Sequence, residues 1–259
     1  MSSSDAHNDI HPGRTLCVVN QKGGVGKTTT AVSLAAGFRI AGKSTVLVDM
    51  DPQCNATTAL GVSPGTEHGI IAEQPIIESM VAVSDLGLSV VPGSRSFVDA
   101  DRLANAAGSE SRRVRTHLQT LAAEHQFTVV DCPPSVGALT QVALSASSEV
   151  LIPIQCEYFA MEGLTQLIQT IKKVIIDTRG QLTFGGIVLT MYDPSLELTA
   201  EVESEVRDFF GEIVYQSVVP RDVSLSEAPS HGQTVFQYAP RSRGAFAYTQ
   251  LCMEVLQRD

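Results

Sequence analysis

Apolar residues gather into seven short runs: TLCVVN (15–20), STVLVDM (44–50), LSVVPG (88–93), FTVVDCPP (127–134), EVLIPIQ (149–155), FGGIVLTMY (184–192) and IVYQSVVP (213–220). They are rich in Val and Ile and lack apolar–polar alternation, the pattern of strands covered on both faces. Stretches between them follow a helical period. Residues 27–41 set Ala31, Leu34, Ala35 and Phe38 on one face, with Gly42 as a C-terminal stop. Residues 160–178 set Leu164, Leu167, Ile168, Ile171 and Val174 on a stripe; 198–210 and 244–257 look similar, and 94–124 also reads as helical. This alternation predicts an α/β fold, a mostly parallel sheet with helices on both faces. No Pro/Gly/Ser-rich linker interrupts it, so one domain is expected over 14–259, after a polar, disordered tail at 1–13.

Composition narrows the classes. A length of 259 residues suits one large α/β domain, and 43% hydrophobic residues exclude wholesale disorder. No run of 18 apolar residues occurs, and the N-terminal segment lacks the apolar block of a secretory signal. His7 and His11 lie one helical turn apart, but Pro12 works against a helix that would pair them on a metal. Eighteen basic against 28 acidic residues leave a net charge of −10, so any binding to nucleic acid needs a local basic strip. Cys17, Cys54, Cys132, Cys156 and Cys252 form no C-x-x-C pair, which favours reduced thiols over a zinc or redox motif.

Residues 20–30, NQKGGVGKTTT, stand between the first strand and the first helix, where a phosphate-binding loop belongs. Gly26, Lys27 and Thr28 fit the end of G-x-x-x-x-G-K-[ST], but Gln21 occupies the place of the first glycine as a spacer, and a second lysine, Lys22, follows. Gly23, Gly24 and Gly26 allow the turn that brings backbone N–H groups, Val25 included, to phosphate oxygens at a helix N-terminus. In such a loop Lys27 holds the β- and γ-phosphates, Thr28 ligates Mg²⁺ and Thr29 reaches the α-phosphate. The site also needs carboxylates at strand ends. VLVDMDPQ supplies Asp49 and Asp51, and FTVVDCPP supplies Asp131. Asp131 reads as the acid holding a Mg²⁺-bound water, and Asp51 as the residue beside the metal that orients the attacking water. Asp49 is equally open to capping the next turn.

The segments KGGVGKTTTAVSLA, VLVDMDPQCNAT, VVDCPPS, CEYFAMEGL, GIVLTMYD and VPRDVSLSEAPSHG occur in that order within residues 14–257. The set resembles the ParA/Soj-type chromosome and plasmid partitioning ATPases, within the deviant Walker A group that also holds MinD. The resemblance implies a P-loop NTPase fold, ATP and Mg²⁺ as cofactors, and slow hydrolysis of ATP to ADP and phosphate. It implies that Lys22 reaches across a homodimer to the partner's ATP, with Gly23 at the interface, where a side chain would block pairing. Lys27, Asp51 and Asp131 match the family's catalytic positions. Pro220 and Asp222 belong to the segment bordering the adenine, usually P-R-N; Asp222 lacks that amide donor. The implied partners are a second copy, a ParB/Spo0J-type DNA-binding protein that stimulates hydrolysis, and DNA bound without sequence preference. The implied location is cytoplasmic, on the nucleoid when ATP is bound.

One part of the pattern departs from the family. Arg221 matches a DNA-contact position, but the arginine that usually follows MYD is missing; Ser195 stands near it, with Glu197, Glu201, Glu203 and Glu205 after it. Arg112, Arg113, Arg115, Arg241 and Arg243 are the other DNA-contact candidates, with Lys172 and Lys173 behind them. The C-terminal AYTQLCMEVLQRD carries Glu254 and Asp259 and reads as a core-docking helix rather than the basic membrane helix of MinD-like relatives, so no membrane partner is expected. Cys54 stands where relatives commonly have Gly and reads as filling space. The alternatives are a ParA-like ATPase with another cargo, a MinD-like membrane-associated ATPase, an iron-protein relative, a small-molecule ligase, and a binding module that has lost hydrolysis.

Overall fold

The computed structural model describes residues 13–98, 108–158 and 160–258. Of the tail expected over 1–13, residues 1–12 lie outside that set, with His7 and His11. Eight described strands form one sheet: β1 (Arg14–Val18), β2 (Thr45–Asp49), β3 (Val81–Val83), β4 (Leu88–Val91), β5 (Phe127–Asp131), β6 (Glu149–Gln155), β7 (Thr183–Tyr192) and β8 (Val214–Pro220). Their order across the sheet is β3-β4-β2-β5-β1-β6-β7-β8. Each of the seven apolar runs coincides with one of these strands, β1 and β7 each starting one residue before its run. The addition is β3, which pairs antiparallel with β4. Two of its three residues are exposed, so it carries no buried-strand signal.

The helices are α1 (Lys27–Ile40), α2 (Asn55–Ala59), α3 (Ser109–Glu124), α4 (Ala138–Ser145), α5 (Ala160–Asp177), α6 (Glu197–Phe210), α7 (Val223–Glu227), α8 (Val235–Tyr238) and α9 (Arg243–Gln257). The helix expected over 94–124 is seen from Ser109; residues 99–107 lie outside the described set. Strands β2 and β5 are buried at every position, and the period of two divides their side chains between two cores. Leu16, Val18, Leu47 and Val129 face α1 and α9. Cys17, Val46, Val48 and Val130 face the layer of α3, α4, α5 and α6. Both faces being apolar, the alternation disappears from the sequence.

Helix α1 ends as Gly42 turns left-handed (φ 80°) and the Lys43 N–H closes on the Phe38 carbonyl at 2.9 Å. Helix α9 buries Tyr248, Leu251, Cys252 and Val255 against the sheet. Its Glu254 carboxylate accepts from the backbone N–H groups of Gln216 and Ser217, covering part of the β8 edge. No described helix is long and apolar enough to cross a membrane.

Register positions the site. Asp131 lies opposite Val18 on one side and Asp49 on the other. Cross-strand partners share a face, so both carboxylates point toward α1. Strand β1 lies between β5 and β6, where the chain switches direction across the sheet, the crevice in which open α/β sheets place ligands.

Candidate nucleotide site

Loop 19–26 runs from β1 into α1 over the carboxyl edge of the sheet. Gly24 (φ 77°) and Gly26 (φ 85°) take the left-handed conformation the turn requires, and Gly26 caps α1 without any side-chain bond. The first-turn N–H groups therefore remain available to an anion. Val25 is buried, and its carbonyl accepts from Thr190 Oγ1 of β7 at 2.9 Å. The entry to the loop is fastened to β6 and α5: Asn20 Nδ2 donates to the Pro153 carbonyl (2.7 Å) and Gln21 Nε2 to the Gly163 carbonyl (2.7 Å). Gln21 is thus an anchor rather than the spacer its position suggested. Lys22 Nζ bonds Glu157 Oε2 at 3.1 Å, and Lys27 Nζ donates to the Lys22 carbonyl at 2.9 Å.

Below the loop lie three buried carboxylates. Asp131 is 0% exposed; its Oδ2 accepts from Thr28 Oγ1 at 2.8 Å, and its Oδ1 is buried with no hydrogen-bond partner. Burial, reinforced by Asp49, pushes its pKa well above the usual carboxylate range, against the pull of Thr28 and Lys27. Burial in turn lowers the Lys27 pKa, opposed by Asp131 and Asp51. Asp51 is 5% exposed, with Oδ1 accepting from the Gln53 N–H at 2.9 Å. An orphaned carboxylate oxygen beside a threonine hydroxyl is a hard-oxygen donor set that fits Mg²⁺ held jointly with phosphate oxygens. No cluster of three or more His, Cys, Asp or Glu side chains among the described residues forms an all-protein metal cage.

Asp49 is engaged structurally. Its Oδ2 accepts from both the backbone N–H (2.8 Å) and the hydroxyl (2.6 Å) of Thr57, and its Oδ1 from the Asp51 N–H (3.2 Å). Burial raises its pKa, countered by the Thr57 bonds. Asp49 therefore ties α2 and the loop carrying Asp51 to β2. Asp49→Ala is expected to lose about 3 kcal/mol of stability in urea unfolding, because buried donors lose their acceptor, while Asp49→Asn keeps most of it.

Farther along, a cavity of about 230 Å³ opens between Thr29, Met191, Pro220, Asp222, Leu225 and Pro229. A neighbouring cavity of about 250 Å³ shares Thr29, Leu225 and Pro229 with it. Asp222 lines the first cavity, but both its oxygens are used: Oδ1 caps α7 at the Ser224 N–H (2.9 Å) and Oδ2 takes the Gly244 N–H (2.8 Å). Partial burial opposes its charge, yet these bonds and Arg243 hold its pKa below the usual value. The aspartate at the usual Asn position is a clamp between α7 and α9.

The six candidate arginines fall into two separate groups. Arg221, Arg241 and Arg243 are exposed; Arg241 and Arg243 line a cavity of about 520 Å³ with Phe246, which is 64% exposed. Arg221 and Arg243 both act on Asp193, whose pKa is lowered first by Ser195 and then by them. Arg112, Arg113 and Arg115 ride on α3 in the opposite helix layer, and Arg113 is bound to Glu73 (2.9 Å) and the Ile71 carbonyl (3.1 Å). Lys172 and Lys173 lie exposed on α5.

All five cysteines are free and buried, which places no thiol at the surface to share an iron–sulfur cluster with a second subunit. Cys54 adopts φ 56° at the start of α2, and its Sγ lies 3.1 Å from where a Cβ on Gly93 would be. Such a left-handed backbone is one that glycine adopts without strain, and the Cys54 thiol fills the space beside Gly93.

The comparisons agree with this geometry. Residues 13–184 match the model of the family described as AAA domain. The chromosome-partitioning ATPase Soj of Treponema pallidum is 43% identical over 95% of this chain and 98% of its own. The chromosome partitioning protein ParA of Myxococcus xanthus is 44% identical over 95% and 89%. Among solved structures, one described as cobyrinic acid a,c-diamide synthase of Mycobacterium smegmatis with bound ATP analog and magnesium superimposes with a TM-score of 0.81, at 30% identity over 95% of each chain. With a phosphate loop opening on Lys22, strand-end carboxylates beneath it and partitioning ATPases matching nearly end to end, the chain belongs to the ParA/Soj family of chromosome-partitioning ATPases.

Proposed function

We propose that the chain is an ATP-driven partitioning switch that pairs with a second copy across two ATP molecules, binds DNA in that state and separates after hydrolysis. The observation that carries this reading is the pair Lys22–Gly23. Lys22 is exposed and held at Glu157. Gly23 is exposed, and a Cβ there would meet nothing within 4 Å. No protein contact within the subunit requires glycine at that position, which supports a second subunit packing against the loop.

Within each subunit the N–H groups of 23–28 and the Lys27 amine take the phosphates, Thr29 reaches back along them, and the base and sugar enter the cavities beside Pro220 and Leu225. Thr28 Oγ1 and the Asp131 carboxylate, the latter through water, would hold Mg²⁺ beside Asp51, where it would supply charge neutralisation for the phosphates. Asp51 orients the attacking water. The partner subunit's Lys22 adds the cation that a lone P-loop lacks, a lack that leaves rates on the order of 10⁻⁴ s⁻¹ in isolated P-loop GTPases. Hydrolysis is then tied to pairing, and a ParB/Spo0J-type protein accelerates it. The two cavities beside the loop, about 230 and 250 Å³, suit base and sugar.

For DNA, Arg221, Arg241 and Arg243 are the group we assign, since they are exposed and clustered while Arg113 is already paired. Six phosphate contacts across a dimer predict that affinity in the ATP state falls on the order of 10³-fold between about 50 and 200 mM salt. Binding that ignores ATP, or that survives the salt rise, contradicts the DNA reading.

A further inference from the structure

Glu157 lies in CEYFAMEGL, outside the nucleotide-binding residues described above, yet it holds the amine on which the in-trans mechanism turns. The Lys22 and Glu157 side chains are 43% and 46% exposed and meet at 3.1 Å. Glu157 is itself positioned: its Oε1 accepts from Gln155 Nε2, and its N–H donates to the Gln155 carbonyl at 2.8 Å. The Lys22 main chain is also held, its N–H by Asn20 Oδ1 (3.0 Å) and its carbonyl by Lys27 Nζ (2.9 Å). Lys27 is buried and is the cation expected to hold phosphate. When it turns to a phosphate, the Lys22 carbonyl loses that bond, and the main chain beneath the Lys22–Glu157 pair is freed to shift.

We propose that Glu157 is a positioning residue that parks Lys22 in its own subunit, so that Lys22 is offered to a partner more readily by a subunit whose Lys27 has been drawn to ATP. The inference rests on the in-trans role of Lys22. Its energetics suit a gate. An exposed ion pair is weak, so it biases a loop without locking it, and pairing breaks one such contact in each subunit. Removing both is expected to tighten the ATP-state dimer about fivefold.

The test compares wild type with Glu157→Gln, which keeps the shape and removes the charge. The ¹³C-methylated Lys22 resonance in the nucleotide-free protein reads the parked contact, and sedimentation with a non-hydrolysable ATP analogue reads pairing. Glu157→Gln is expected to shift the resonance, leave analogue affinity of the monomer unchanged and tighten the dimer about fivefold. The tightening is expected to vanish when Lys22→Ala is already present. An unmoved resonance, or a dimer unchanged or weakened by Glu157→Gln, overturns the gate alone. A wild-type chain that never pairs with the analogue overturns the proposed function itself, and the gate with it.

Discussion

Asp51→Ala is expected to bind ATP within about threefold of wild type and to hydrolyse it 10²- to 10⁴-fold more slowly, the usual range for losing a positioned proton acceptor. Both effects follow from where Asp51 sits. It follows β2 at the carboxyl edge of the sheet, 5% exposed, with Oδ1 fixed by the Gln53 N–H at 2.9 Å. Nucleotide affinity resides in other groups, the N–H groups of the loop and the Lys27 amine, so binding survives its loss. The fold survives too, because the bonds that hold this loop to β2 end on Asp49. Dimers of Asp51→Ala are expected to persist in ATP, since separation follows hydrolysis. Phosphate release and nucleotide titration measure the two effects separately. Hydrolysis at the wild-type rate removes Asp51 from the mechanism.

Much of this site is legible in the sequence, because its chemistry is local. Gly26, Lys27 and Thr28 are consecutive, and the strands supplying Asp51 and Asp131 announce themselves as apolar runs buried on both faces. What escaped reading depends on contacts between distant residues. Gln21 resembles a spacer until Gly163 is brought beside it by the pairing of β1 with β6. Asp49 reads equally as an acid of the site and as a cap of the next turn until Thr57 folds back onto it. Asp222 resembles a base contact until the start of α9 takes its second oxygen. The cluster Arg112, Arg113 and Arg115 resembles a DNA strip, but residues around Glu73 occupy its middle member. The short helices α2, α7 and α8 complete too few turns to show a period. Strand β3 is too exposed to show one.

In the proposed switch each ATP is completed by two subunits, with Asp51 acting in cis and Lys22 in trans. Its largest consequence appears when two inactive variants are mixed. Lys22→Ala keeps its own Asp51 and lacks only the lysine it would give away. Asp51→Ala keeps Lys22 and lacks only the acid at its own site. In a mixed dimer, the ATP on the Lys22→Ala subunit meets its own Asp51 and the partner subunit's Lys22, so one site of two is whole. With random pairing of equal amounts, half the dimers are mixed, and roughly a quarter of all sites regain wild-type turnover. The measurement is the phosphate release rate of the two variants, combined before ATP is added and compared with each alone. Recovery of the initial rate to about a quarter of wild type, before persistent Asp51→Ala pairs accumulate, is the result this mechanism requires. A mixture no faster than the mean of its parents contradicts it, and Lys22 then serves its own subunit or none.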